Sequence, residues 1–145
     1  MKKTNSKTPK FRSKFEKELY DKYFKKTKAR YEGVRIHYTK PGIYIPDWFL
    51  PNGIIIEIKG RFSPADRAKH LRVKEQYLKE QYRYDTKYLD IRFLFKVNNT
   101  LYKGSKNRYS DWCDKHGFKY CFTNVAKDSK LPRAEKVVPK WLKEK

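Results

Sequence analysis

Residues 43–60 read IYIPDWFLPNGIIIEIKG and constrain this chain more than any other stretch, because they spell a hairpin with charge in its apolar interior. Ile43 to Leu50 alternates and is rich in β-branched and aromatic residues, the pattern of a strand. Pro51-Asn52-Gly53 reads as a turn, since Pro presets φ and Asn and Gly tolerate the left-handed conformation. Ile54-Ile55-Ile56 then opens a second strand, apolar enough to be buried on both faces. With Pro51 to Gly53 as the loop, Leu50 pairs with Ile54, and Asp47 falls opposite Glu57. Lys59 lies two residues further on and shares the face of Glu57. Carboxylates opposed across a sheet destabilise it unless something neutralises them. A hard divalent cation such as Mg²⁺ would do so, because it takes carboxylate oxygens. The competing reading is a solvated Glu–Lys–Asp cluster on an exposed face. The isoleucines favour the cation, since strongly apolar strands are seldom idle at a surface.

A chain of 145 residues is one domain's worth and long enough to bury a core. Only 38% of it is apolar and 17% is aromatic, so large rings are expected to carry that core. The formal charge is +21, from 37 basic and 16 acidic residues, and a chain this basic calls for a polyanion, ordinarily nucleic acid. A membrane partner is disfavoured: no run approaches a transmembrane span, and no lipid-seeking helix, lipidation motif or signal peptide is visible. Cys113 and Cys121 are read as reduced, packed thiols, and their spacing around His116 fits no common zinc motif. His37, His70 and His116 are isolated in sequence.

Residues 1–10 are polar and basic and are expected to form a flexible arm, with a single domain over 11–145. Ser13-Lys14-Phe15-Glu16 has the form of a capping box, and Phe15, Leu19 and Tyr23 give the helix it starts an apolar stripe ending near Lys28. Tyr31 to Tyr38 alternates as a strand, and Thr39 to Gly42 breaks the chain before the hairpin. Ser63-Pro64-Ala65-Asp66 starts a second helix, expected to reach about Gln81 with Ala68, Leu71, Lys74 and Leu78 along one side. Asp90 to Val97 reads as an inner strand, Ser110 to His116 as a short helix capped by Gly117, and Lys119 to Phe122 as a last strand. Asn124 to Lys136 reads as a polar, basic excursion and Pro139 to Lys143 as a final helical turn carrying Trp141. Mixed strands and helices make the class α/β.

Asp, an apolar strand, then Glu-x-Lys resembles the core of the PD-(D/E)xK nucleases. The likeness extends beyond that short pattern. FRSKFE at the first helix, YIPDWFLPNGIIIEIKG, DRAKHL, LYKGS, DKHGFK and the late PKWLKE occur in the order seen in phage endonuclease I, a family that resolves Holliday junctions. The resemblance covers roughly residues 11 to 121 and resumes at the C-terminus, while 124–136 looks like an insertion.

This resemblance implies a mixed central sheet flanked by helices, and a homodimer in which subunits exchange residues 11–38 across a bridge at 39–46. Asp47 and Glu57 would hold the principal Mg²⁺, helped by the main-chain carbonyl of Ile58. Glu16 would complete a second metal position with Asp47, and Mn²⁺ would substitute. Lys59 would orient and help deprotonate the attacking water. From the residues alone the capping box accounts for Glu16 fully; the resemblance makes it a ligand. The chemistry is coherent, because a phosphodiester is shielded by its own charge and hydrolysis needs an activated water and stabilised phosphoryl oxygens. The substrate would be branched DNA in the cytoplasm of an infected bacterial host. Phosphate contacts are assigned to Lys2, Lys3, Lys7, Lys10, Arg12, Arg61, Lys69, Arg72, Lys103, Lys106 and Arg108. Two other readings compete: a non-catalytic nucleic-acid-binding protein, and a PD-(D/E)xK nuclease acting on other DNA structures. The complete Asp47, Glu57 and Lys59 set speaks against the first, since a pure binder has no use for acids facing phosphate.

Overall fold

The computed structural model describes residues 8–38, 42–79 and 90–145, without the side chains of 77–79. In chain order the elements are α1 (Lys14–Leu19), a π-helical turn (Tyr20–Phe24), β1 (Arg30–Tyr31), β2 (Ile36–His37), β3 (Ile43–Tyr44), β4 (Trp48–Phe49), β5 (Ile54–Lys59), α2 (Pro64–Lys79), β6 (Asp90–Phe95), α3 (Tyr109–His116), β7 (Lys119–Phe122) and α4 (Ala134–Lys143). The main sheet has the order β1-β4-β5-β6-β7, and β2 and β3 form a separate two-stranded ribbon. β1, β4 and β5 pair antiparallel, whereas β5, β6 and β7 are parallel. The sheet is therefore mixed, as expected.

Alternation along the strands divides the core in two. Ile55, Phe93, Phe95 and Phe122 point to the face covered by α2 and α3, through Phe62, Val73, Tyr109 and Trp112. Trp48, Ile54, Ile56, Ile58 and Leu94 point to the opposite face, covered by Leu19 and Phe24 near the N-terminus and by Ala134, Val138 and Trp141 of α4. Aromatic rings carry both halves: Phe24 stacks on the fully buried Trp48 with centroids 4.6 Å apart, and Phe93 stacks on Phe95 at 5.4 Å. Cys113 and Cys121 are buried packing residues, and burial pushes both thiols up.

Several expected boundaries change for identifiable reasons. The first helix ends at Phe24 rather than near Lys28, because Lys25 N–H donates to the Tyr20 carbonyl in a π-turn and the Thr27 hydroxyl closes the end on the Phe24 carbonyl. That wider turn replaces Tyr23 with Phe24 as the successor to Leu19 on the buried face. The strand expected over 31–38 is split into β1 and β2, since Glu32 takes a positive φ of 47° just before Gly33. The strand expected over 43–50 is likewise split into β3 and β4 around Pro46, which has no N–H for a ladder. α2 buries His70 and Val73, three residues apart. Of the side expected through Ala68, Leu71, Lys74 and Leu78, Leu71 packs half-buried against the core, Ala68 and Lys74 are half-buried, and the Leu78 side chain lies outside the described residues. Its expected end at Gln81 lies outside the described residues. Finally, residues 134–136 are helical: α4 starts well before Pro139, and Ala134, Val138 and Trp141 form its buried stripe.

Candidate active site

The hairpin register places the central carboxylates. Trp48 pairs with Ile56 and Phe49 with Ile55, and Leu50 N–H donates to the Ile54 carbonyl at 2.8 Å. One step beyond the last pair, Asp47 comes opposite Glu57, on the α2–α3 face at the end of the sheet where β5 and β6 finish. The β4–β5 ladder stops at Trp48, and the Asp47 side chain replaces it by accepting the Ile58 N–H at Oδ2, 2.8 Å away. Lys59 turns its carbonyl to β6, accepting from Lys96 N–H at 3.0 Å. By alternation Ile58 turns both its N–H and its carbonyl the other way, toward Asp47. The main-chain oxygen expected to serve as a ligand thus lies on the side of the carboxylates.

Glu57 is 3% exposed. Burial, then the neighbouring Asp47 charge, pushes its carboxyl up to about 8, against the opposing pull of Lys59 and Tyr44. Burial also raises Asp47, although the Ile58 N–H and Lys59 counter it. The Lys59 ammonium is 3.7 Å from Glu57 Oε2 and 3.6 Å from Asp66 Oδ1. Asp66 sits in the first turn of α2, where it accepts Ser63 N–H at 3.2 Å while its own N–H donates to Ser63 Oγ at 3.1 Å. Burial works against its ionisation, but Lys59 and the Ser63 bonds outweigh that and hold it below its ordinary value.

Two neighbours complete the inner wall. The hydroxyl of the buried Tyr44 donates a hydrogen bond to Glu57 Oε1. His70 is fully buried beside it, edge-on to the Tyr44 ring with centroids 5.4 Å apart. Burial and the charges of Lys59 and Lys69 keep its imidazole neutral, well below the ordinary value.

Glu16 arrives from α1 on the opposite face. Its Oε2 accepts the Arg12 and Ser13 N–H groups at 2.8 and 3.1 Å, its own N–H donates to Ser13 Oγ, and the Tyr31 hydroxyl lies 3.5 Å away. Glu16 is close enough for its charge to raise both Tyr31 and Asp47, yet it serves as a cap. Among the described residues no three carboxylate, imidazole or thiol side chains converge as a metal-binding group. The structure therefore brings together Asp47, Glu57, Lys59 and the Ile58 main chain, and leaves Glu16 at the margin. Tyr44 and Asp66 are site neighbours that the sequence reading did not single out. Asp66 had a signal, as the acidic partner of Ser63 in the helix start. Tyr44 had none to separate it from an ordinary core tyrosine.

Of the expected phosphate contacts, Lys2, Lys3 and Lys7 lie outside the described residues. Lys10, Arg12, Arg61, Arg72, Lys103, Lys106 and Arg108 are exposed and Lys69 is half-buried. Arg61 follows β5 directly, and Lys103, Lys106 and Arg108 belong to the loop leaving β6. Because β5 and β6 are parallel, this cluster emerges at the same end of the sheet as Lys59. Arg12 pairs with Glu32 at 2.9 Å, and Arg108 donates to the Asn98 carbonyl.

The sequence profile of the family described as phage endonuclease I matches residues 1–145. This chain belongs to the phage endonuclease I family. It is 38% identical over 122 residues to the protein named Endonuclease I of Escherichia phage T7, covering 81% of this chain and 67% of that one. It is 41% identical over 112 residues to Endodeoxyribonuclease 1 of Enterobacteria phage T3, covering 71% of this chain and 68% of that one. Both the hairpin and the basic loop after β6 fall within the region matched by the family profile. Among the described residues no helix is long and apolar enough to cross a membrane.

Proposed function

We propose that this chain is a phage DNA endonuclease that resolves four-way junctions and other branched DNA by divalent-metal-dependent hydrolysis. The observation that carries the reading is the pair of opposed carboxylates, half-buried Asp47 and buried Glu57, beside Lys59 in a chain of +21 charge. Buried opposed acids are costly as a structural device, and they repel phosphate. They become useful when a cation stands between them and the DNA.

The donor set fits such a cation. Two carboxylates and the Ile58 carbonyl are all oxygen ligands, the preference of Mg²⁺, with Mn²⁺ as a substitute. A bound cation would supply charge stabilisation to the phosphoryl oxygens and make a water more acidic. A second ion would use the Oε1 oxygen of Glu16, since its Oε2 holds the capping bonds. The chain's own groups do the rest. Asp66 and Glu57 hold the Lys59 ammonium between them, where it can donate to the scissile phosphate or orient the attacking water. Arg61, Lys103, Lys106 and Arg108 supply positive charge at the same end of the sheet, suited to phosphate positions and branch shape with little base readout.

Paired cuts on opposing strands call for two such sites, and a homodimer exchanging its N-terminal segments would provide them. The packing of Phe11, Tyr20 and Phe24, on either side of α1, against Trp48 would then be made between subunits, with the crossing within 39–46, of which 39–41 lie outside the described residues. Such an enzyme would work in the cytoplasm of the infected host. The test is to incubate the protein with Mg²⁺ and either a synthetic four-way junction or a linear duplex of matched arms. Symmetrical paired cuts in the junction are expected, with the duplex largely intact. Equal cutting of both would remove the branch selectivity, and no cutting of either would remove the nuclease.

A further inference from the structure

The two oxygens of Glu57 are in different situations. Oε1 accepts the Tyr44 hydroxyl in a region closed to solvent, with Tyr44 1% and Glu57 3% exposed. Oε2 lies on the side of Lys59, 3.7 Å from its ammonium. Tyr44 is not free to swing away. Its backbone pairs with Ile36 in the β2–β3 ribbon, and its ring is fixed edge-on by His70 of α2. Turning Oε1 toward a ligand would strand the buried hydroxyl, and a buried donor without an acceptor is costly.

Cations differ in what they ask of a carboxylate. Ca²⁺ takes six to eight oxygens in flexible geometry and commonly binds both oxygens of one carboxylate. Mg²⁺ demands a near-octahedral shell and takes one. We propose, on the reading of Asp47 and Glu57 as a cation site, that Tyr44 is a specificity-determining positioning residue which occupies one oxygen of Glu57, restricts it to one-oxygen ligation, and so selects small six-coordinate cations over Ca²⁺. Tyr44 acts only through Glu57 and touches neither substrate nor cation. The β2–β3 ribbon thereby has a function inside the site despite lying outside the main sheet.

The test is cation affinity of the full chain without DNA, measured by calorimetry for Mn²⁺ and Ca²⁺ in the wild type and in Tyr44→Phe. Loss of the hydroxyl is expected to strengthen Ca²⁺ relative to Mn²⁺ by about tenfold, the worth of one buried hydrogen bond. A general loosening of the site would weaken both cations alike and leave their ratio unchanged; that result overturns the assignment to Tyr44 while keeping the cation site. Failure of the wild type to bind either cation would overturn the site itself. A second measurement does without Tyr44→Phe, in case that variant does not fold. Infrared difference spectra on Ca²⁺ addition, with the Glu57 band identified by its loss in Glu57→Gln, are expected to show the wide carboxylate splitting of one-oxygen ligation. The narrow splitting of two-oxygen ligation would overturn the proposal.

Discussion

Arg92 and Glu57 are two buried ionisable side chains on adjacent parallel strands, one residue apart in register and on opposite faces of the same sheet. Arg92 is fully matched. Its guanidinium donates to both oxygens of Asp90 at 3.1 and 2.6 Å and to both oxygens of Glu144 at 2.6 and 2.8 Å, and it lies over the Trp141 ring. Burial works against that charge, but the bonds to Glu144 and Asp90 outweigh it and hold Arg92 still more firmly protonated. Glu57 has the opposite surroundings: a second carboxylate across the hairpin, and one ammonium that it shares with Asp66. The first arrangement ties the C-terminus to the sheet, an attachment reinforced by Asn52, whose amide donates to the carbonyls of Trp141 and Glu144. The second gives the ionised form of Glu57 no full counter-charge, which favours its protonated form. Sequence charge counts cannot separate the two cases; only the partners can.

Exchanging the lesions should expose the contrast. On the proposed mechanism Glu57→Gln, like Lys59→Ala, is expected to lower junction cleavage by about 10²–10⁴-fold, because each removes a group assigned there to the cation or the attacking water. Junction affinity, measured by gel shift, should persist because it comes from the basic surface. Arg92→Ala should do the reverse. Removing the buried guanidinium and its bonds to the part-exposed Asp90 and Glu144 carboxylates is expected to cost about 1.5–3 kcal/mol in denaturant unfolding, while cleavage per folded molecule stays near wild type. A stable Arg92→Ala protein, or a Glu57→Gln protein that still cuts, would erase the distinction between the faces.

The pH dependence of stability sharpens it. A carboxyl raised to about 8 in the folded chain holds its proton where the unfolded chain has released it. Between about 4.5 and about 8 the folded state therefore binds more protons, and stability falls as pH rises through that window. In the absence of divalent cations, Glu57→Gln should gain melting temperature relative to wild type between pH 5 and pH 8. The gain should level off above that and vanish near pH 4. A constant difference across the range would mean that Glu57 is not the group held protonated.

Much of the site could be read from the hairpin alone, because strand period and loop length together determine which side chains meet. Asp47, Glu57 and Lys59 needed no tertiary information beyond that register. What the sequence did not show depends on contacts made across the fold. Pro46 and Glu32 each divide an alternating run whose period looked continuous. The π-turn exchanges Tyr23 for Phe24 because Trp48 offers a stacking surface that local periodicity does not contain. The stripe of α4 was masked by its lysines and by Pro139, and it is resolved only by the pocket around Leu94 and Cys121. Tyr44 reaches Glu57 from a ribbon of β2 and β3, the pieces that break away from the two expected long strands.

The smallest expected effect on stability belongs to Glu16, and it bears on whether one or two chains build each site. As a cap, Glu16 satisfies the Arg12 and Ser13 N–H groups, so Glu16→Ala should cost about 1 kcal/mol in unfolding free energy. If that were its only function, cleavage by the Glu16→Ala homodimer would remain. If Glu16 also completes the site, the homodimer should be inactive, and a mixed dimer can tell which chain supplies it. One tagged chain carries Glu16→Ala and a differently tagged chain carries Asp47→Ala, co-expressed so that they assemble together. With exchanged segments, both lesions fall in one site, and the other site receives an intact Glu16 and an intact Asp47. That dimer should nick one strand of a junction and fail at the paired cut. If each chain builds its own site, every site carries one lesion and the mixed dimer stays silent while still binding junctions. Nicking that appears only in the mixed dimer would establish that α1 crosses to the partner; silence would keep α1 on its own sheet.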